Sequence, residues 1–476
     1  MRRPVGVLAE FKSAVRGRVS ALAGHSERTI MLGAVLLASA VSGAVCFVFT
    51  QYASVDVLSS LAWLPKDCFA NWAMKVGRHC FNDYGMFALV GVLPNPWVPY
   101  GTAYPAGGLV PIMIFAGPAA WLHAPRLGLF GYLFALTIAV LTPAVWAARG
   151  AQGLERVVVF VALGALAVPA WVVFDRGNSV GFLAPIGLVF LVALCRRRWG
   201  LVAIMVVLAA LVKPQFAVLA VALFAARQWR MGGITVAGVV ISNLAAYLLW
   251  PRDFPETIAQ SVHNAHDYAS SFPMLVGMNN VSFANGVLLI PDHIMRLTHG
   301  YVPSGFLAGP RSLIGNVVLV VVVGSVLALG RRVPPVLVGI ALLATSSLFL
   351  AMTGRYYLVF ALPVAALVAR DPDGHRGSGI FDRLASLAGG RRAVGICVSM
   401  AAALTIAQIA LPGGPAEVES GTPLTVLAST AILTPILWLV ACAAIIVSYA
   451  RRPDSFASTG SVTTSIPRES VSVAVS

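Results

Sequence analysis

The sequence predicts an all-α polytopic membrane protein, and three observations carry that prediction. Of its 476 residues 58% are hydrophobic and only 11% are charged. Apolar runs recur from Thr29 to Tyr449, most of them about long enough to cross the ~30 Å hydrocarbon core of a bilayer. The runs are continuous and do not alternate in polarity, which sets a membrane β-barrel aside. The basic residues, which give a net charge of +15, lie mainly in short clusters beside the runs. That placement is a signature of helix orientation, and it argues against a nucleic-acid groove.

Residues 1–28 form a basic leader carrying Arg2, Arg3, Lys12, Arg16, Arg18 and Arg28. The run Ile30 to Thr50 is of spanning length and lacks a small-residue cleavage site, so it predicts an anchor and not a cleaved signal. With the leader inside, residues 51–106 form an outer loop. Apolar segments follow at Gly107 to Leu122, Leu127 to Ala147, Val157 to Phe174 and Val180 to Cys195. Arg196-Arg197-Arg198 marks an inner edge. Two shorter runs, Leu201 to Val212 and Phe216 to Ala226, flank Lys213-Pro214. Gly233 to Trp250 leads into a second long outer interval, 251–311. Ser312 to Gly330, Val336 to Met352 and Leu358 to Val368 complete a membrane module over 29–370.

Counting thirteen full crossings sets the charge of Arg149 to Arg156 and Arg196 to Arg198 against the positive-inside rule. Removing one crossing restores agreement. Gly107 to Leu122 is the segment to remove, being short and carrying Pro111 and Pro118. Re-entrant segments are tolerated where protein or a cavity covers them. About twelve crossings, with both termini cytoplasmic, are therefore expected. Residues 371–392 read as a charged, Gly-rich cytoplasmic linker. Residues 393–450 supply trailing helices at Val394 to Leu411 and Leu424 to Tyr449, and 451–476 a Ser/Thr/Val-rich disordered tail.

Chemistry is expected in the polar interval Pro65 to Gly108. Asp67 stands near Lys66, Lys75, Arg78 and His79. A carboxylate just above the membrane could act as a catalytic base facing a lipid-phosphate substrate; an ordinary solvated loop is the other reading. Cys68 and Cys80 share this loop, and a disulfide is plausible if the loop is extracytoplasmic.

Other polar groups interrupt apolar surroundings. Asp175-Arg176-Gly177-Asn178 breaks one stretch, Lys213 another, and Arg355 stands beside Tyr356 and Tyr357. Ionisable groups at membrane depth are costly and face a cavity or a partner. On the bland reading Asp175 pairs with Arg176, while Lys213 and Arg355 snorkel to headgroups. Their common sidedness favours a site for a membrane-embedded phosphate ester. His263 and His266 share a helix face at i, i+3 without a tighter ligand pattern, and no metal site is expected. Asn279-Asn280-Val281-Ser282 could contact sugar hydroxyls or simply form a turn. No Walker sequence or serine-nucleophile motif is present, which disfavours ATP-driven transport and soluble nucleotide-sugar chemistry.

At these residues the chain resembles the polyprenyl-phosphate-dependent membrane glycosyltransferases of the GT-C type, particularly the family-87 mannosyltransferase-like group. That family opens its first outer loop with an acidic residue and follows with a Tyr-Pro-Pro turn. Asp67 and Thr102-Ala103-Tyr104-Pro105-Ala106 occupy those places, Ala106 departing from the second proline. Arg176-Gly177-Asn178-Ser179 approximates a Gly-Gln-x-Asn turn, Lys213-Pro214 matches a Lys-Pro pair, and Asn280-Val281-Ser282 approximates an Asn-Gln-Ser element. The histidine common near the later outer turn is absent, and Thr353-Gly354-Arg355-Tyr356-Tyr357 stands there.

The resemblance implies a GT-C type helical bundle in the plasma membrane with its active site on the extracytoplasmic side. It implies transfer of a hexosyl or pentosyl unit, mannose foremost, from a polyprenyl-phosphate donor to a glycan or glycolipid, with no further cofactor. Asp67 would be the base, Arg176, Lys213 and Arg355 would hold the phosphate, and Tyr104, Asn178 and Asn280 would contact sugar. A transporter or flippase of lipid-linked sugars is the alternative, since it too needs many helices and a cationic cavity.

Overall fold

Backbone N–H and C=O groups have no water to bind inside a bilayer, so an apolar chain satisfies them internally by winding into helices. The computed structural model describes residues 24–53, 81–98, 101–277, 279–388, 391–417 and 423–451, and these are predominantly helical. Five helices are long and apolar enough to cross a membrane: Glu27–Val48, Pro125–Ala148, Trp229–Leu249, Ala308–Arg332 and Thr430–Ala450. A sixth span is formed if the bent pair Gly153–Ala165 and Val168–Arg176 is taken as one. The result is an α-helical membrane protein.

Shorter apolar helices pack among them. Leu183–Cys195, Trp199–Val212 and Pro335–Leu348 have 13, 14 and 14 residues, which at 1.5 Å per residue is only ~20 Å of helix. Every residue from Val336 to Leu348 is buried, as expected of a helix that is apolar all round. The long helices instead keep large apolar side chains on the outside, among them Leu37, Phe134, Ile241 and Val320. One hydrophobic cluster runs from Met31 through Leu343 to Tyr449, so the trailing helices pack into the same core as the rest.

Several elements depart from the sequence expectation for local reasons. The run 157–174 breaks at a π-turn, Val161–Ala165, and bends by 45°. Pro169 has no N–H to return to Ala165, and the indole of Trp171 takes that carbonyl instead, at 2.8 Å. Phe216 to Ala226 divides between a 3₁₀ turn, Pro214–Ala220, and the short helix Val221–Ala225. The expected helix from Leu424 begins only at Thr434, because Pro423–Ser429 pairs antiparallel with Ala410–Glu417. Pro412, Gly413, Gly414 and Pro415 disfavour helix across that junction. The interval 251–311 holds the helices Glu256–Ser270, Phe272–Val276, Phe283–Val287 and Leu289–His299. A buried Arg311–Asp292 ion pair ties its end down.

Both ends of the described chain meet at one pole of the bundle. There Arg28 is buried, donating to Ala369 O at 2.7 Å and Gly377 O at 3.1 Å and pairing with Glu155. Arg196 and Arg383 converge on Asp373, and Arg370 donates to Trp146 O. The expected linker thus carries a helix, Ile380–Ala388, and is fastened to the bundle. Partial burial alone would raise the Asp373 carboxyl, but the hydrogen bonds and charges of Arg196 and Arg383 outweigh it and hold the group below its ordinary value. Its stabilising contribution is therefore present above the ordinary aspartate range and lost as pH falls through the lowered folded value. Arg28→Ala should cost about 1–3 kcal/mol, because two carbonyls lose a charged donor at once. Thermal unfolding in detergent, against an exposed control such as Arg230→Ala, measures it.

Candidate functional site

At the opposite pole the ends of several helices bring polar side chains together, each placed by a local rule. Lys213 follows the helix Trp199–Val212 and precedes Pro214, whose ring excludes helical geometry at the residue before it. Lys213 accordingly adopts an extended backbone, φ −147° and ψ 114°, and leaves the helix. Arg176 closes the helix Val168–Arg176, and Gly177 reverses the chain at φ 63°. A Cβ there would lie 2.9 Å from that of Tyr84, so glycine is required twice over, by backbone and by space. Asn178 then caps the next turn, its Oδ1 accepting from Val180 N at 2.9 Å.

Asp83 is the hub. It sits in the first turn of the helix Asn82–Gly91 and is buried. Arg176 grips it bidentately, Nε to Oδ2 at 3.0 Å and Nη2 to Oδ1 at 2.9 Å. Asn178 Nδ2 donates to the same Oδ2 and also to the Tyr104 hydroxyl at 2.9 Å. The Tyr104 ring packs on Phe87 with centroids 4.0 Å apart. Lys213 Nζ lies 3.2 Å from the centroid of that same tyrosine ring, a cation–π contact of a desolvated ammonium. The Arg176 guanidinium in turn stands 5.3 Å from the Tyr356 ring centre, with Tyr357 beside it.

The expected site residues divide accordingly. Tyr104, Arg176, Asn178 and Lys213 form one contact network. Lys213 and Arg355 are both buried within the protein, 6% and 4% exposed, and neither snorkels over its surface. Arg355 opens the turn that carries Tyr356 and Tyr357. Asn280 stands behind the site. Its amide donates to Leu275 O and Ala351 O, while its oxygen accepts from Ser282 N and Thr353 N. Those four bonds use the whole hydrogen-bonding capacity of the group. Asn280 is thus a positioning residue that fastens the 353–357 turn, not a group open to a sugar. Asp67, Cys68 and Cys80 lie outside the described residues. His263 pairs with Asp267 at 3.2 Å on an exposed helix face, and among the described residues no three metal-ligating side chains gather.

Asp83 escaped the sequence reading. Its signal was a carboxylate just ahead of the apolar stretch Met86 to Val90, in a chain where Arg176, set among apolar residues, called for an anion.

Comparison with protein-family models, curated proteins and solved structures finds no match. The fold defines an α-helical membrane protein in which Lys213, Arg176, Asp83, Tyr104, Tyr356 and Tyr357 form one largely buried cluster.

Asn280→Ala should destabilise the fold by about 2–4 kcal/mol, since four backbone groups lose their partner at roughly 1 kcal/mol each. Asn280→Asp should lie between, keeping the acceptor side. Thermal melts of the purified variants measure both.

Proposed function

We propose that the protein is an integral-membrane glycosyltransferase that moves a sugar, mannose foremost, from a polyprenyl-phosphate donor to an extracytoplasmic glycan or glycolipid. One observation carries this reading. Buried Lys213 and half-buried Arg176 stand around a single buried, tyrosine-lined carboxylate, and among the described residues the Lys213 ammonium has no carboxylate or carbonyl partner. A buried cation that lacks an anion is costly, and a lipid phosphate would supply one. The surrounding apolar helices suit a polyprenyl tail.

In the proposed reaction the acceptor hydroxyl attacks the anomeric carbon of the sugar. The new C–O bond forms as the bond to the phosphate oxygen breaks. The hydroxyl proton passes to a carboxylate, and the electron pair leaves with polyprenyl phosphate, whose developing charge Lys213 and Arg176 stabilise. Asp83 suits the role of base. Three donors occupy its oxygens, and a carboxylate accepts about four hydrogen bonds, which leaves one position for the hydroxyl. Asp67, the acid suggested by resemblance, is the rival.

We further propose about twelve crossings of the plasma membrane, with both termini cytoplasmic and the site outside. Support comes from the two poles: Arg28, Arg196, Arg370 and Arg392 gather at one, while Asn178 and Lys213 lie at the other. The helix Ala106–Trp121 meets the site pole at both ends. Ser179 donates to Gly108 O, and Ala119 packs on Gly128, one turn before Tyr132, whose hydroxyl donates to Gly177 O. That suits a segment which does not cross.

The test is purified protein in nanodiscs with a panel of polyprenyl-phosphate sugars, following transfer to a lipid or glycan acceptor. Asp83→Asn should lower turnover by about 100-fold or more while donor binding persists. Lys213→Ala should weaken donor binding by roughly 10–100-fold, the worth of a charged hydrogen bond. If Asp67→Asn abolishes transfer and a folded Asp83→Asn does not, the base is Asp67. Donor binding without transfer to any acceptor would turn the assignment towards a flippase.

A further inference from the structure

At the pole opposite the carboxylate site, a cavity of about 330 Å³ opens between three helix C-termini, a volume in the range of small-ligand sites. The helices Leu183–Cys195, Val221–Ala225 and Ala308–Leu329 end around it, and Arg197, Trp199, Gln228 and Arg331 line it with apolar residues. Among the described residues, no acidic side chain lines it.

Two features describe its arginines, the first held by Arg197 and shared with Arg227 outside the lining, the second held by both cavity arginines. The first is backbone. The helix Leu183–Cys195 closes with a double bond, Arg198 N to Ala193 O at 2.9 Å and Arg197 N to Leu194 O at 3.3 Å. That closure puts the residue at 197 in the left-handed region, where glycine is the ordinary choice. This chain has arginine there, at φ 53°. The second is partnership. Arg196 is spent on Asp373 and Pro372 O. Among the described residues, Arg197 and Arg331 have neither carboxylate nor hydrogen-bond partner for their guanidinium groups. Nearby helix carbonyl ends favour positive charge in general, but they leave both forks of N–H donors open. Two open guanidiniums over one cavity match the oxygens of a phosphate bidentately. Trp199 in the lining and exposed Trp229 beside it are the side chains that settle at headgroup depth.

We propose that this cavity binds the phosphate headgroup of an anionic membrane lipid, held by Arg197 and Arg331. The site is separate from the carboxylate cluster and takes its ligand from the leaflet on the other side.

Native mass spectrometry of the full-length protein, released from detergent containing equal phosphatidylglycerol and phosphatidylcholine, tests the proposal. Wild type should retain the anionic lipid about tenfold over the zwitterionic one, and Arg197→Gln with Arg331→Gln should reduce that to about twofold or less. Arg198→Gln with Arg230→Gln, exposed arginines outside the lining, should leave the preference unchanged. Equal losses in both pairs would mean diffuse charge attraction and would overturn the site. So would undiminished retention in the first pair. Arg197→Gly guards against misfolding. It relieves the left-handed backbone, so its melting temperature in neutral detergent should hold or rise while lipid retention falls; retained preference would count against Arg197. A final arm adds inorganic phosphate. Displacement of the lipid by millimolar phosphate would make the site one for a soluble anion and sink the lipid assignment.

Discussion

A guanidinium inside an apolar helical bundle is tolerated only with an anion in good geometry, and the Arg176–Asp83 pair meets that condition. The rest of the site pole depends on it. The pair joins the end of one helix to the start of another that is far away in the chain. Asn178 extends the pair to Tyr104, and Tyr104 holds Lys213 against its ring. Asp83, Arg176, Asn178 and Tyr104 are joined by hydrogen bonds, as a buried network must be if it is to specify one arrangement, and Lys213 is left with a ring and no anion. The position of Lys213 thus follows from a carboxylate it does not touch.

The second constraint is length. Helices of 13 or 14 residues are shorter than the bilayer core, and this chain packs them against longer ones, Pro335–Leu348 being buried throughout. Their ends therefore lie below the outer surface of the bundle. Lys213 and Asn178, at two of those ends, are buried yet stand beside irregular backbone. Short, broken helices covered by neighbours let non-helical backbone and charge persist at membrane depth. The 3₁₀ turns at Ser179–Phe182, Pro214–Ala220 and Arg355–Phe360 all lie at this pole. Asn280 and the Thr353 backbone brace the last of them.

The two poles differ in how they use arginine. At the site pole Arg176 is consumed by a carboxylate. At the other, Arg28, Arg196 and Arg370 are spent on fastening 370–392 to the bundle, while Arg197 and Arg331 are left facing a cavity. The same residue type thus serves as clasp and as open receptor, and burial and acid neighbours decide which.

Helical periodicity and apolar length were legible in the sequence because they are local: the apolar runs, the break at Lys213-Pro214 and the turn at Gly177-Asn178 each follow from adjacent residues. Arg176, Asn178, Lys213 and Arg355 stand out as polar interruptions that an apolar chain must justify, while Tyr104 enters only through the family resemblance. What the sequence could not settle is which groups satisfy one another. Nothing adjacent marks Asp83 as the partner of Arg176, and Asn280 reads as a sugar contact or a turn until the 353–357 segment is seen beside it. Arg176 is 93 residues from Asp83, and Thr353 is 73 from Asn280. Pairing across such separations is chosen by packing, so only the tertiary structure could make Asp83 the hub and Asn280 the brace of the 353–357 turn.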